Sequence, residues 1–151
     1  MQYDPRIIQP FRDELTRVGF RELRTAADVD DAIQNTKGTN LLVVNSVCGC
    51  AAGKARPGIA LALSRSPVKP DHLTTVFAGG DVEATARARE HFGNIPPSSP
   101  SMALYKNGTL VHFIPRYQIE SRDAYQIARH LMDVFAEFCT APEQASQQQD
   151  T

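Results

Sequence analysis

Hydrophobic positions along the chain change period several times, and each change marks an element. Ile7, Phe11, Leu15 and Val18 recur at helical spacing. Gly19 supplies a stop, and Pro10 must lie in the first turn or kink the helix. Thr25 caps a second predicted helix running to about Asn35, with Val29 and Ile33 on one face, and Gly38 closes this preamble. Leu41 to Asn45 is a near-continuous apolar run, the signature of a parallel strand buried on both faces. A helix is expected from about Cys50 to Ser64, bent where Pro57 forfeits its bond to Gly53.

The breaker cluster Ser66-Pro67-Val68-Lys69-Pro70 precedes a second β-rich run, Leu73 to Ala78. Asp81 is placed to cap a short helix that Gly93 ends. After Pro96-Pro97-Ser98-Ser99-Pro100 comes a strand, Ser101 to Lys106. Asn107-Gly108 then predicts a type I′ hairpin turn, because both central positions need positive φ, and Thr109 to Ile114 returns. Ser121 is expected to cap the last helix, whose apolar stripe is Ile127, Leu131, Val134, Phe135 and Phe138. Beyond Thr140 the composition turns to Gln, Ser, Ala and Asp, which predicts a disordered tail over 140–151. The order after the helical preamble is β-α-β-α-β-β-α. A parallel crossover pair followed by an antiparallel hairpin gives an α/β fold with a four-stranded mixed sheet flanked by helices, the order of the thioredoxin core.

Composition narrows the function classes. The 151 residues suit one domain, expected over 1–139, and 42% hydrophobic with 22% charged residues is ordinary for a globular chain. A net charge of −1 gives no electrostatic case for a nucleic-acid or membrane partner. The longest apolar run, Ile59 to Leu63, is far too short to span a bilayer. Asp4, Arg6, Arg12, Asp13 and Glu14 interrupt the first twenty residues, unlike a secretory signal, so a cytoplasmic location is expected. Three cysteines, two of them one residue apart, do not make an even-numbered secreted scaffold. In a reducing compartment they point to redox chemistry or metal binding.

Cys48-Gly49-Cys50 falls between the first buried strand and the following helix. In α/β sheets, reacting groups gather at the carboxyl ends of parallel strands. A helix N-terminus favours thiolate over thiol, and the thiolate is the attacking species. Cys48, the outer sulfur, is the expected nucleophile, and Cys50 the resolving thiol. Gly49 helps a tight ring close, and ring strain makes a disulfide easier to reduce. That favours isomerisation or removal of a small-thiol adduct over bulk reduction. The competing reading is a metal pair completed by Cys139 or a histidine, although closed zinc sites want four ligands, usually in wider-spaced pairs. No bound metal or cofactor is expected.

Pro100 immediately precedes the third strand, which should lie beside the first and bring it to the Cys48 region. A cis Ser99–Pro100 bond is expected there, turning the Ser99 backbone out to pair with substrate. Gly49, Ser99 and Pro100 are therefore candidate substrate-contacting positions, with Ser98 and Ser99 hydroxyls in support. Cys139, after Phe138, reads as a helix-end cysteine or as an accessory thiol. His72, His91, His112 and His130 show no ligand spacing and read as surface or strand residues. Lys54 and Arg56 lie near the site in sequence, but helix charges ordinarily face solvent.

The stretch Asn45-Ser46-Val47-Cys48-Gly49-Cys50-Ala51-Ala52-Gly53-Lys54-Ala55-Arg56-Pro57 closely resembles the signature of the bacilliredoxin family. Val76 to Gly79, Pro97 to Leu104 and His112 to Arg116 extend the likeness, which runs from about Pro5 to Cys139. The resemblance implies a bacterial thioredoxin-like enzyme that removes bacillithiol from S-bacillithiolated client proteins. Cys48 would take the bacillithiol, and Cys50 or a second bacillithiol would release it. Bacillithiol is thus the implied thiol co-substrate, and Cys139 resembles the third cysteine often found in the family. Family members have also been viewed as protein disulfide isomerases. The alternatives are an isomerase or general thiol oxidoreductase using the same sulfurs, and a metal-binding or thiol-sensing module without turnover.

Overall fold

The structure is a computed structural model describing residues 2–139, so the expected tail lies outside the described residues. Helix α1 (Pro5–Thr16) begins with Asp4 accepting the Arg6 N–H. A two-residue strand β1 (Arg21–Glu22) leads to α2 (Ala26–Gln34), where Thr25 and Asp28 form a reciprocal capping box. Next come β2 (Thr39–Asn45), a π-helical turn (Ala51–Ala55), α3 (Arg56–Arg65), β3 (His72–Phe77) and α4 (Val82–His91). Strands β4 (Ser101–Lys106) and β5 (Thr109–Ile114), then α5 (Arg116–Glu120) and α6 (Ala124–Phe138), complete the order.

The sheet runs β1-β3-β2-β4-β5. Strand β2 pairs in parallel with β3 and antiparallel with β4, so it lies at the centre, buried at every position. Its alternation explains its near-continuous apolar run. Leu41 and Val43 face a core built from α1, α3 and α6, while Leu42 and Val44 face one built from α2 and α4. Asn107 and Gly108 take φ of 51° and 83°, the two positive values the β4–β5 turn requires. Gly58 lets α3 press onto α6, since a Cβ there would lie 2.8 Å from Ile127 Cγ2.

Five local expectations change. Among the described residues the sheet has five strands, because β1 adds to the β3 edge with only two pairs, Arg21 with Thr74 and Glu22 with Thr75. The buried face of α1 is Ile8, Arg12 and Leu15, and Ile7 is exposed, because Arg12 turns inward to Asp81. Asp81 begins α4 but makes no side-chain cap. Its carboxylate binds Arg12 and accepts the Phe77 N–H instead. Rather than one bent helix after Cys50, the backbone makes a π turn in which Arg56 N–H reaches Ala51 O. Pro57 then falls in the first turn of α3, where a missing N–H has no intrahelical partner to lose. Finally, α5 was not anticipated. Ser121 terminates it, and α6 starts from an Asp123–Gln126 capping box.

Candidate active site

The carboxyl end of β2 delivers the chain directly into the Cys48 loop. Asn45, the last strand residue, accepts the Ser46 N–H through Oδ1 at 2.9 Å and donates to Phe11 O. Arg56 lies beneath this turn with almost no exposure. It donates to Asn45 Oδ1 at 2.9 Å and Ser46 O at 2.8 Å, pairs with Glu14, and stacks over Phe11. This charge faces inward, against the expectation for a helix cation, and it fixes the loop rather than facing a sulfur. Lys54 reaches Glu120 O and ties the π turn to α5.

Ser46 is the immediate neighbour of the outer sulfur. Its Oγ accepts the Cys48 N–H and donates to Cys48 Sγ, both at 3.3 Å. Cys48 and Cys50 are both half-buried free thiols. Burial alone would raise the Cys48 pKa. The Ser46 hydroxyl, the N–H groups of Ala51 and Cys50, and the charge of Arg116 outweigh it, so the thiol titrates below its ordinary 9.0. Arg116 sits at the start of α5, its Nη2 4.0 Å from Cys50 Sγ and its Nη1 on Ser99 O at 3.2 Å. Glu120 holds its Nε at 3.2 Å. The Ser99–Pro100 bond is cis, the isomer expected. Ser98 Oγ accepts the Arg116 N–H at 3.3 Å. The sheet therefore brings Cys48, Cys50 and Ser99–Pro100 to one end. A cleft of about 300 Å³ opens beside Cys48, with Ser46, Ser99, Arg89, Arg116 and Tyr3 in its lining.

Cys139 is not part of this cluster. It is buried against Thr39, at the opposite end of β2, and burial raises its pKa. His112 and His130, far apart in sequence, meet with their Nε2 atoms 3.0 Å apart. Among the described residues no three His, Cys, Asp or Glu side chains gather as a metal group. Two contributors escaped the sequence reading. Arg116 ended a stretch quoted for the family resemblance, yet only the unanticipated α5 carries it to the sulfurs. Ser46 lay in the signature itself, and its proximity to Cys48 was the available signal.

Removal of the Ser46 hydroxyl tests this electrostatic account. The Ser46→Ala protein should alkylate at Cys48 roughly ten-fold more slowly near pH 7, the size of one charge-assisted hydrogen bond. Its rate–pH curve should move to higher pH, because less thiolate is present at each pH below the midpoint. An unchanged curve would remove Ser46 from the account.

A dithiol at the carboxyl end of a central parallel strand, one sulfur polarised toward thiolate, defines a thiol–disulfide oxidoreductase on a thioredoxin-like fold. The fold is shared with a Fasciola hepatica thioredoxin, at a TM-score of 0.53, 22% identity, and coverage of 77% of this chain and 99% of that one. A thioredoxin variant from Halobacterium salinarum matches with a TM-score of 0.53 at 15% identity over 80% of this chain and 90% of its own. The family model described as Disulphide isomerase matches residues 3–139. A bacilliredoxin of Geobacillus kaustophilus is 53% identical over 137 residues, 91% of this chain and 94% of its own. Another, from Koribacter versatilis, is 52% identical over 139 residues, covering 92% and 95%. The chain belongs to the bacilliredoxin family.

Proposed function

We propose that this protein removes bacillithiol from S-bacillithiolated proteins, with Cys48 as nucleophile and Cys50 as resolving thiol. The observation that carries the proposal is the Cys48 sulfur, polarised toward thiolate and open to a cleft, with a second free thiol two residues on. The Cys48 thiolate attacks the bacillithiol sulfur of the client's mixed disulfide. A new S–S bond forms to Cys48, the old one breaks, and the client cysteine leaves as thiolate. Cys50, once deprotonated, then attacks Cys48 Sγ, giving a Cys48–Cys50 disulfide and bacillithiol thiolate. Alternatively a second bacillithiol attacks the adduct and departs as oxidised bacillithiol, restoring Cys48. The Cys48–Cys50 route needs two electrons from a thiol reductant to begin again.

Bacillithiol is thus a co-substrate and S-bacillithiolated proteins are the partners, in the cytoplasm. Ser99, Pro100 and Gly49 are assigned to the substrate-facing rim. No helix among the described residues is long and apolar enough to cross a membrane. The Disulphide isomerase description supports a second reading, rearrangement of client disulfides by the same two sulfurs. Incubation with a bacillithiolated client and with a scrambled-disulfide client separates them. Release of bacillithiol with a matching mass gain on Cys48 is expected. Rescue of the scrambled client without any release would replace this proposal with isomerisation.

A further inference from the structure

We propose that the cleft beside Cys48 contains an anion subsite, formed by Arg89 and Arg116, that takes a carboxylate of the small thiol in the mixed disulfide. Among the described residues, two guanidinium groups line this cleft and no acidic side chain does. Arg116 is already engaged by Glu120 and Ser99. Arg89 is not. Among the described residues its Nε is buried without a hydrogen-bond partner, and burial lowers its pKa. Its helix neighbour Arg87, by contrast, pairs with both Asp30 and Glu90. A buried unsatisfied donor is costly, and natural structures keep few of them without a reason such as a ligand. The planar guanidinium fork matches a carboxylate, and two such forks in one small cleft match it better.

The chemistry strengthens this subsite at the right moment. While Cys48 is a thiolate, its charge adds to the hold of Glu120 on Arg116. When Cys48 takes the small thiol, the negative charge leaves on the client sulfur, and the two guanidinium groups face one anion fewer. The cleft is also small, and Tyr3 at its edge is tied down through Tyr3 N–H on Gly79 O at 2.9 Å. That size suits the small thiol rather than an extended acidic client segment.

The subsite rests on the de-thiolation reading for its biological ligand, but its test needs no client. In a Cys50→Ser background, Cys48 adduct formation is followed by intact mass with two symmetric disulfides, those of mercaptosuccinate and of 2-mercaptoethanol. The rate ratio, compared between variants, cancels the intrinsic reactivity of each disulfide. Arg89→Gln should lower the mercaptosuccinate preference about ten-fold. Arg89→Lys should keep most of it, and Arg65→Gln, the same charge change on an exposed helix end, should stay within about two-fold.

An unchanged ratio in Arg89→Gln, or an equal fall in Arg65→Gln, overturns the subsite. A parallel arm uses client peptides carrying the 2-mercaptoethanol adduct, with acidic or neutral residues flanking the modified cysteine. If Arg89→Gln erases a preference for the acidic peptide alone, the bound anion comes from the client, and the small-thiol assignment falls. If wild-type protein releases no small thiol from any client, the de-thiolation reading fails, while the ratio still decides the subsite.

Discussion

Cys48→Ser should reduce release of a small thiol from a client mixed disulfide to the uncatalysed rate, whereas Cys50→Ser should complete the first exchange and stop. Four groups favour the Cys48 thiolate: the Ser46 hydroxyl, two backbone N–H groups and the Arg116 charge. In Cys48→Ser those groups remain, but a hydroxyl does not ionise near neutral pH and gives them no anion to stabilise. Cys50→Ser keeps the attacking thiolate and removes the intramolecular exit. One equivalent of client thiol should then appear, with the small thiol trapped on Cys48 until added thiol displaces it. Intact mass reads both outcomes. Turnover retained by Cys48→Ser would move the nucleophile to Cys50 and leave the polarised sulfur without a role.

The second large effect should be on stability. Asp81 and Arg12 form a two-pronged ion pair at 2.9 and 3.0 Å, both nearly fully buried, and Glu22 shares the arginine at 2.7 Å. The pair ties α1 to the turn after β3, whose Ala78 and Gly79 form one wall of the Cys48 cleft. Asp81→Ala leaves a buried guanidinium short of its main partner and also strips the acceptor from the Phe77 N–H. Breaking a buried pair in this way costs about 3–5 kcal/mol. For a chain of this size that lowers Tm by roughly 10 °C or more. Arg6→Ala removes an exposed pair with Asp4 and should leave Tm unchanged. An Asp81→Ala protein that melts with the wild type would show the cluster to be dispensable.

These two predictions draw on different amounts of sequence information. The dithiol was legible because strand, loop and helix follow one another within a single stretch, and a near-continuous apolar β2 announces its own burial. The hairpin was legible for a similarly local reason, since Asn107-Gly108 has few other conformations to adopt. What was hidden depends on distant partners. Nothing near Arg56 in sequence indicates that Glu14 and Asn45 will receive it inside, and nothing near Arg12 points to Asp81. Strand β1 has two residues, too few to carry a period, and exists because Thr74 and Thr75 present an edge to it. Arg116 needed α5, a five-residue helix after Pro115, to bring it to the sulfurs. The unpaired state of Arg89 is a property of its surroundings, and sequence does not describe surroundings.

Gly49 has a separate consequence. A methyl group built there would meet nothing within 4 Å among the described residues, and the residue does not need the left-handed conformation that reserves a position for glycine. Alanine would therefore fit the dithiol form, and by restricting the unfolded chain it would add about 0.4–1 kcal/mol of stability. The resting protein forgoes that gain. The dithiol form therefore supplies no steric reason for a hydrogen in place of a side chain at this position.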